Sequence, residues 1–98
     1  MDVSELITPK QKQYLLDLLN KAENELLDVL QTDTKYKALW EAELERIRKI
    51  RSEIDKLSKD KASKYISYYR NYSAFGKLLS LAVFGEAKMW IEQLRKSP

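Results

Sequence analysis

The sequence predicts an all-α fold, a compact bundle of four helices, or five where the last divides at Gly85. Three observations carry this expectation. Apolar residues recur at spacings of three and four along most of the chain, the repeat that gathers them on one side of a helix. Helix-start signals stand before these stripes at Thr8, Ser58 and Ser73. No stretch reads convincingly as a strand.

The elements follow in order. Residues 1–7 read as a frayed lead-in. "TPKQ" at 8–11 is a strong start: Thr8 caps, Pro9 suits the first helical position, and Gln11 completes a capping box. Leu15, Leu19, Ala22, Leu26, Val29 and Leu30 then form an apolar stripe opposite Lys12, Asp17, Lys21, Glu25 and Asp28. "QTDT" at 31–34 reads as a turn in which Asp33 or Thr34 caps the next helix. That helix spans about residues 35–57, with Trp40, Leu44, Ile47, Ile50, Ile54 and Leu57 near the 3.5-residue period of helix–helix seams. Its early glutamates and late Arg46, Arg48, Lys49 and Arg51 suit the helix dipole.

Ser58 and Asp60 mark a third helix over about residues 59–71. A break from the second helix is expected there, although no Gly or Pro separates them. Ser73 caps a fourth segment, 74–96, in which Phe75, Leu78, Leu79, Ala82 and Val83 share a side, followed by Trp90, Ile91 and Leu94. Gly85 costs about 1 kcal/mol relative to Ala inside a helix, so it is the place for a kink or split. Trp40 and Trp90 read as core anchors.

The 98 residues form one domain, long enough for a single core. There is no cysteine and no histidine, which removes disulfides, thiolate chemistry, the usual zinc ligands and the commonest general acid–base side chain. No phosphate-cradling glycine loop or Asp-rich calcium loop is visible. The expectation is a protein that is not an enzyme and needs neither metal nor cofactor. The longest apolar run, "LLSLAVF" at 78–84, falls short of the roughly 20 residues that cross a bilayer. With no secretory leader at the start, a cytoplasmic protein is expected. Few Asn and Gln beside many Lys, Glu and Arg lean towards a thermophilic source.

The net charge of +3 hides an asymmetry. Residues 1–45 carry five lysines against ten carboxylates, whereas residues 46–98 carry thirteen basic residues against five acids. A basic half attracts an anionic partner, and a chain balanced across packed helices is the plainer explanation. Within that half, "SKYISYYRNYSAFGK" at 63–77 places four tyrosines among Lys64, Arg70 and Lys77. On a helical wheel Ala62, Tyr65, Ile66, Tyr69 and Tyr72 share one broad face. Tyr65, Ile66, Tyr69 and Phe75 are expected in the core; Tyr68, and Tyr72 at the face's edge, are expected exposed.

"ITPKQKQYLLDLL" (7–19) and "LSKDKASKYISYYR" (57–70) resemble a small helical module appended to some phage and microbial proteins that process or anneal DNA. Thr8, Lys10, Gln11, Tyr14, Leu15 and Leu18, then Leu57, Ser58, Lys59, Ala62, Ser63 and Ile66, carry the likeness over about a quarter of the chain. The helix between them exceeds the module's usual linker, and the C-terminal segment has no counterpart. The resemblance implies a role in DNA metabolism and no catalytic residue.

The favoured function is therefore a non-catalytic accessory protein of replication or recombination, of plasmid, viral or archaeal origin, that binds single-stranded DNA or another nucleic acid. Single-strand binders combine a basic track with aromatic platforms. Its candidate residues are Arg48, Lys49, Arg51, Lys59, Lys61, Lys64, Tyr68, Arg70, Tyr72 and Lys77. Duplex reading by the third helix ranks lower, because no glycine marks its turn and the tyrosines would crowd a groove. The alternative is a protein–protein module or homodimer that docks Leu81, Phe84 and Trp90 on a partner such as a replication enzyme. A small enzyme holding a dianion between Arg46, Arg51 and Lys56 is a third, weaker class.

Overall fold

The computed structural model describes residues 5–83, and the fold is an all-α bundle. Helix α1 occupies Pro9–Thr32. The Thr8 hydroxyl accepts from the Gln11 N–H at 3.1 Å, and the Gln11 side chain accepts from the Thr8 N–H at 3.1 Å. Two of the first-turn donors that a helix leaves without partners are thereby satisfied. Leu15, Leu19, Ala22, Leu26 and Val29 are buried along one side, as their spacing requires.

Asp33 turns the chain into α2, Lys37–Ser52. Its carboxylate accepts from the N–H groups of Lys35 (3.2 Å) and Tyr36 (3.1 Å) and from the Trp40 indole (2.8 Å). The second helix stops at Ser52 rather than 57. A 3-10 turn, Ile54–Lys56, follows it, and Leu57 and Ser58 are extended. The apolar register survives the change of winding, because Trp40, Leu44, Ile47, Ile50, Ile54 and Leu57 are all buried. Helix α3 is Lys59–Arg70, with the Ser58 hydroxyl accepting from the Lys61 N–H at 3.1 Å. The expected break between the second and third helices is present.

Residues 5–7 depart from the frayed lead-in that the sequence suggests. Leu6 and Ser58 form an isolated antiparallel bridge. The Ile7 N–H donates to the Leu57 carbonyl at 2.8 Å and the Lys59 N–H to the Glu5 carbonyl at 2.9 Å. The extended Leu57–Ser58 link leaves the Leu57 carbonyl and the Lys59 N–H open, and the lead-in satisfies both.

Helix α4 covers 74–83 of the described residues. Ser73 caps it by accepting from the Gly76 N–H at 3.0 Å, and Glu25 of α1 accepts from the Ala74 N–H at 3.0 Å. Ala74 is buried, and Leu78 and Leu81 pack against the core. This register corrects two expectations. Phe75 is 43% exposed instead of core, with Leu79 at 67% and Val83 at 63%. Leu81, expected on a partner-binding surface, is turned inward. The small Ala74 lets the start of α4 approach α1, and that contact fixes the rotation of the helix. Phe84, Trp90, Gly85 and the rest of the predicted 84–96 helix lie outside the described residues.

Helix α1 packs along both α2 and α3, whereas α2 and α3 meet each other only sparsely. The space between α2 and α3 is where the aromatic residues go.

Candidate nucleic-acid interface

Helices α2 and α3 run antiparallel, and tyrosines bridge the gap between them. The Tyr72 hydroxyl donates to Glu43 at 2.8 Å. One helical step on, the Arg46 guanidinium lies 5.6 Å from the Tyr68 ring centre. Tyr69 is buried, and Tyr65, Ile66 and Tyr72 are partly buried against the core. Tyr68 meets Tyr69 edge-on at 4.9 Å between centres, a favoured aromatic geometry. Tyr72 lies 5.9 Å from Tyr68 and 5.6 Å from Tyr69.

Most of this aromatic face is therefore packing. Burial pushes the Tyr69 phenol up to about 12. Burial, then the Glu43 hydrogen bond, raises Tyr72 further. Both phenols stay neutral at physiological pH, and that of Tyr72 donates to Glu43. Tyr72 departs from its expected exposure because Glu43 draws it in. Tyr68 stays 41% exposed, with Lys77 Nζ 3.1 Å from its hydroxyl and 5.8 Å from its ring centre.

Carboxylates of the acidic half occupy several of the candidate cations. Arg51 makes a forked contact with Glu23, at 2.9 and 3.4 Å, and donates to Asn20 at 2.8 Å. Arg48 approaches the same carboxylate at 3.5 Å. The Arg51 hydrogen bonds hold Glu23 below the usual carboxylate range against the opposing effect of burial. Lys59 pairs with Glu5, which its hydrogen bond likewise lowers. Lys77 pairs with Glu43 at 2.6 Å. Desolvation pulls the Lys77 ammonium down, but its bonds to Glu43 and Tyr68 outweigh that and leave it raised.

Lys49, Lys61, Lys64 and Arg70 make no ion pair among the described residues. The fold brings Lys49 and Lys61 together with Arg46 and Tyr65 in a cleft of about 240 Å³, completed by Ile50, Glu53 and Leu57. Lys64 and Arg70 are exposed on α3 outside that cleft. A groove of about 410 Å³ runs past Tyr68, Asn71, Tyr72 and Lys77. A wider one of about 740 Å³ borders Arg48 and Lys49 and also carries Glu41 and Glu45. Among the described residues, no group of three or more carboxylates is placed to hold a metal ion.

Sequence reasoning omitted Arg46 and Tyr65 from this interface. The signal was available in the spacing: residues 46, 49 and 50 of α2, with 53 just past its end, face 61, 65 and 68 of α3 once the two run antiparallel. No protein-family model, curated protein or solved structure matches the chain. No helix among the described residues is long and apolar enough to cross a membrane.

Proposed function

We propose that this bundle is a non-catalytic, nucleic-acid-associated accessory protein that binds single-stranded DNA or RNA across the α2–α3 face. One observation carries the reading: Arg46, Lys49 and Lys61 share a cleft beside an exposed tyrosine ring that the Arg46 guanidinium overlies. Cations in the cleft engage phosphate, and Tyr68 offers a stacking platform that any base can use. The likeness of residues 7–19 and 57–70 to the DNA-processing module supports a role in replication or recombination. A titration of a fluorescent single-stranded oligonucleotide over a salt series tests this. Log affinity should fall by about 0.7 per phosphate contacted for each decade of salt. The double change Lys49→Gln and Lys61→Gln should weaken binding to every sequence alike, and absence of binding at low salt would remove the proposal.

A second reading, a protein–protein module or homodimer, is supported by Phe75, Leu79 and Val83. They succeed one another at four-residue steps on α4 and are 43, 67 and 63% exposed. Light scattering on the full chain, with and without Leu79→Ser, separates a dimer held through this stripe from a monomer.

A further inference from the structure

Resting on the single-strand reading above, we infer that the α2–α3 cleft recognises a terminal phosphate monoester, the phosphorylated end of a strand, rather than the phosphodiesters along it.

The first reason is the distribution of charge. A protein that tracks a strand needs cations in a row, spaced as the phosphates are. Here the row is interrupted: Arg48 and Arg51 are held by Glu23, Lys59 by Glu5 and Lys77 by Glu43. The cations left together, Arg46, Lys49 and Lys61, line one small concavity from two helices. Several cations around one concavity suit a group that presents several oxygens to one place. A terminal phosphate has three strong acceptor oxygens and about −1.5 to −2 charges at pH 7, whereas an internal diester has two free oxygens and one charge.

The second reason is the shape. The cleft, about 240 Å³, is smaller and more enclosed than the groove past Tyr68 and Lys77 and the groove beside Arg48 and Glu45. An internal phosphate needs an exit for the chain on both sides, and a terminal one needs a single exit. Tyr68 supplies the exit. Arg46 lines the cleft and also overlies the Tyr68 ring, and Tyr68 in turn borders the groove of about 410 Å³. A strand with its end phosphate in the cleft thus meets a stacking surface next, then an open channel.

Glu53 tempers the site. It lines the cleft with the three cations and forms no ion pair with them among the described residues. Its negative charge opposes a monoester of nearly two charges more strongly than a singly charged diester. Glu53→Gln should therefore strengthen binding of both kinds of strand and widen the gap between them, an effect that a purely structural Glu53 would not produce.

The experiment uses the full chain and three labelled 12-nucleotide single strands: one 5′-phosphorylated, one 3′-phosphorylated and one with hydroxyls at both ends. The strand with the preferred phosphate should bind about tenfold tighter than the hydroxyl-ended strand, the effect of one added charge-assisted contact set. Which phosphorylated strand gains shows the polarity of the site. Lys61→Gln should abolish that preference, with far-UV circular dichroism unchanged because Lys61 is exposed. Inorganic phosphate should compete more effectively with the phosphorylated strand than with the other. Equal affinity for all three strands overturns the end-recognition inference and leaves single-strand binding standing. Binding to none of them overturns both.

Discussion

The indole N–H of Trp40 donates to the Asp33 carboxylate at 2.8 Å, so the residue that turns α1 into α2 also anchors the largest buried side chain. The Trp40 hydrogen bond comes first among the causes that hold Asp33 below the usual range, followed, against a smaller burial effect, by the N–H groups of Tyr36 and Lys35. A folded-state value below the unfolded one stabilises the fold above the unfolded value. That contribution is lost as pH falls through the folded value. In a Trp90→Phe background, Trp40 emission should change in an acid step below the ordinary aspartate range. Asp33→Asn should lower the melting temperature at neutral pH and remove the step. An identical acid step in both proteins would contradict the coupling.

Glu23 neutralises two arginines at once, which gives its removal two opposite effects. Glu23→Gln should cost about 1 kcal/mol of stability in urea unfolding, at the upper end for a partly exposed pair because the Arg51 contact is forked. Glu23 is held low, so the difference from wild type should persist at neutral pH and vanish as pH falls through the folded Glu23 value. The same change releases Arg48 and Arg51. Binding to single-stranded DNA should then tighten at low salt, with the salt slope steeper by about 0.7 for each arginine that engages phosphate. Unchanged binding would mean that this side of α2 does not reach the strand.

The rotation of α4 makes a contrast between two leucines. Leu26 is fully buried in α1, and Leu79 is 67% exposed. Leu26→Ala should cost about 2–5 kcal/mol, through lost burial and the cavity left behind. Leu79→Ala should fall within about 0.5 kcal/mol of wild type. Equilibrium urea unfolding of both variants tests the register directly, and a large loss from Leu79→Ala would place that side of α4 in the core.

How far the sequence was legible depends on whether local rules were in competition. The start of α1, the break at Ser58 and the stripe from Trp40 to Leu57 were readable because capping and periodicity agree there. Periodicity alone over-extends the second helix, since the 3-10 turn keeps Ile54 and Leu57 in register while rewinding the backbone. α4 departs from its expected register for a different reason. It offers two apolar sides, Ala74–Leu78–Leu81 and Phe75–Leu79–Val83, and hydrophobicity favours the bulkier one. The choice was made by a long-range fit, Ala74 against α1 with Glu25 on its N–H. The cleft of Arg46, Lys49, Lys61 and Tyr65 was half legible: its lysines were visible as charge, but only the antiparallel pairing of α2 with α3 brings in Arg46 and Tyr65.

Gln11 performs two tasks with the two ends of one amide. Its oxygen accepts from the Thr8 N–H, and its nitrogen donates to Ser63 Oγ at 3.2 Å and to the Lys59 carbonyl at 3.4 Å. The first closes the cap of α1, and the second ties that cap to the first turn of α3. Gln11→Glu keeps the cap oxygen and loses the donor, whereas Gln11→Ala loses both. Gln11→Ala should cost about 1–2 kcal/mol, and Gln11→Glu a smaller amount that reflects the tie to α3 alone. Equal losses in thermal unfolding would show that the cap, not the tie, is idle.

Tyr68, in the last turn of α3, and Tyr72, just past its end, are given different work by their surroundings. Tyr72 spends its hydroxyl on Glu43, which Lys77 also engages, so Tyr72→Phe removes a charge-assisted hydrogen bond and should cost about 1–2 kcal/mol of stability. The ring remains, and affinity for single-stranded DNA should move little. Tyr68 has the Arg46 and Lys77 cations over its ring, at 5.6 and 5.8 Å from the centre, and is still 41% exposed to solvent. Tyr68→Ala should leave a folded bundle and weaken binding by the worth of one stacked base, about 1–3 kcal/mol or roughly five- to 150-fold. Tyr68→Phe keeps the stacking ring and should retain most of the affinity. If Tyr68→Phe loses as much as Tyr68→Ala, the phenol rather than the ring is the contact, and the stacking platform has no support.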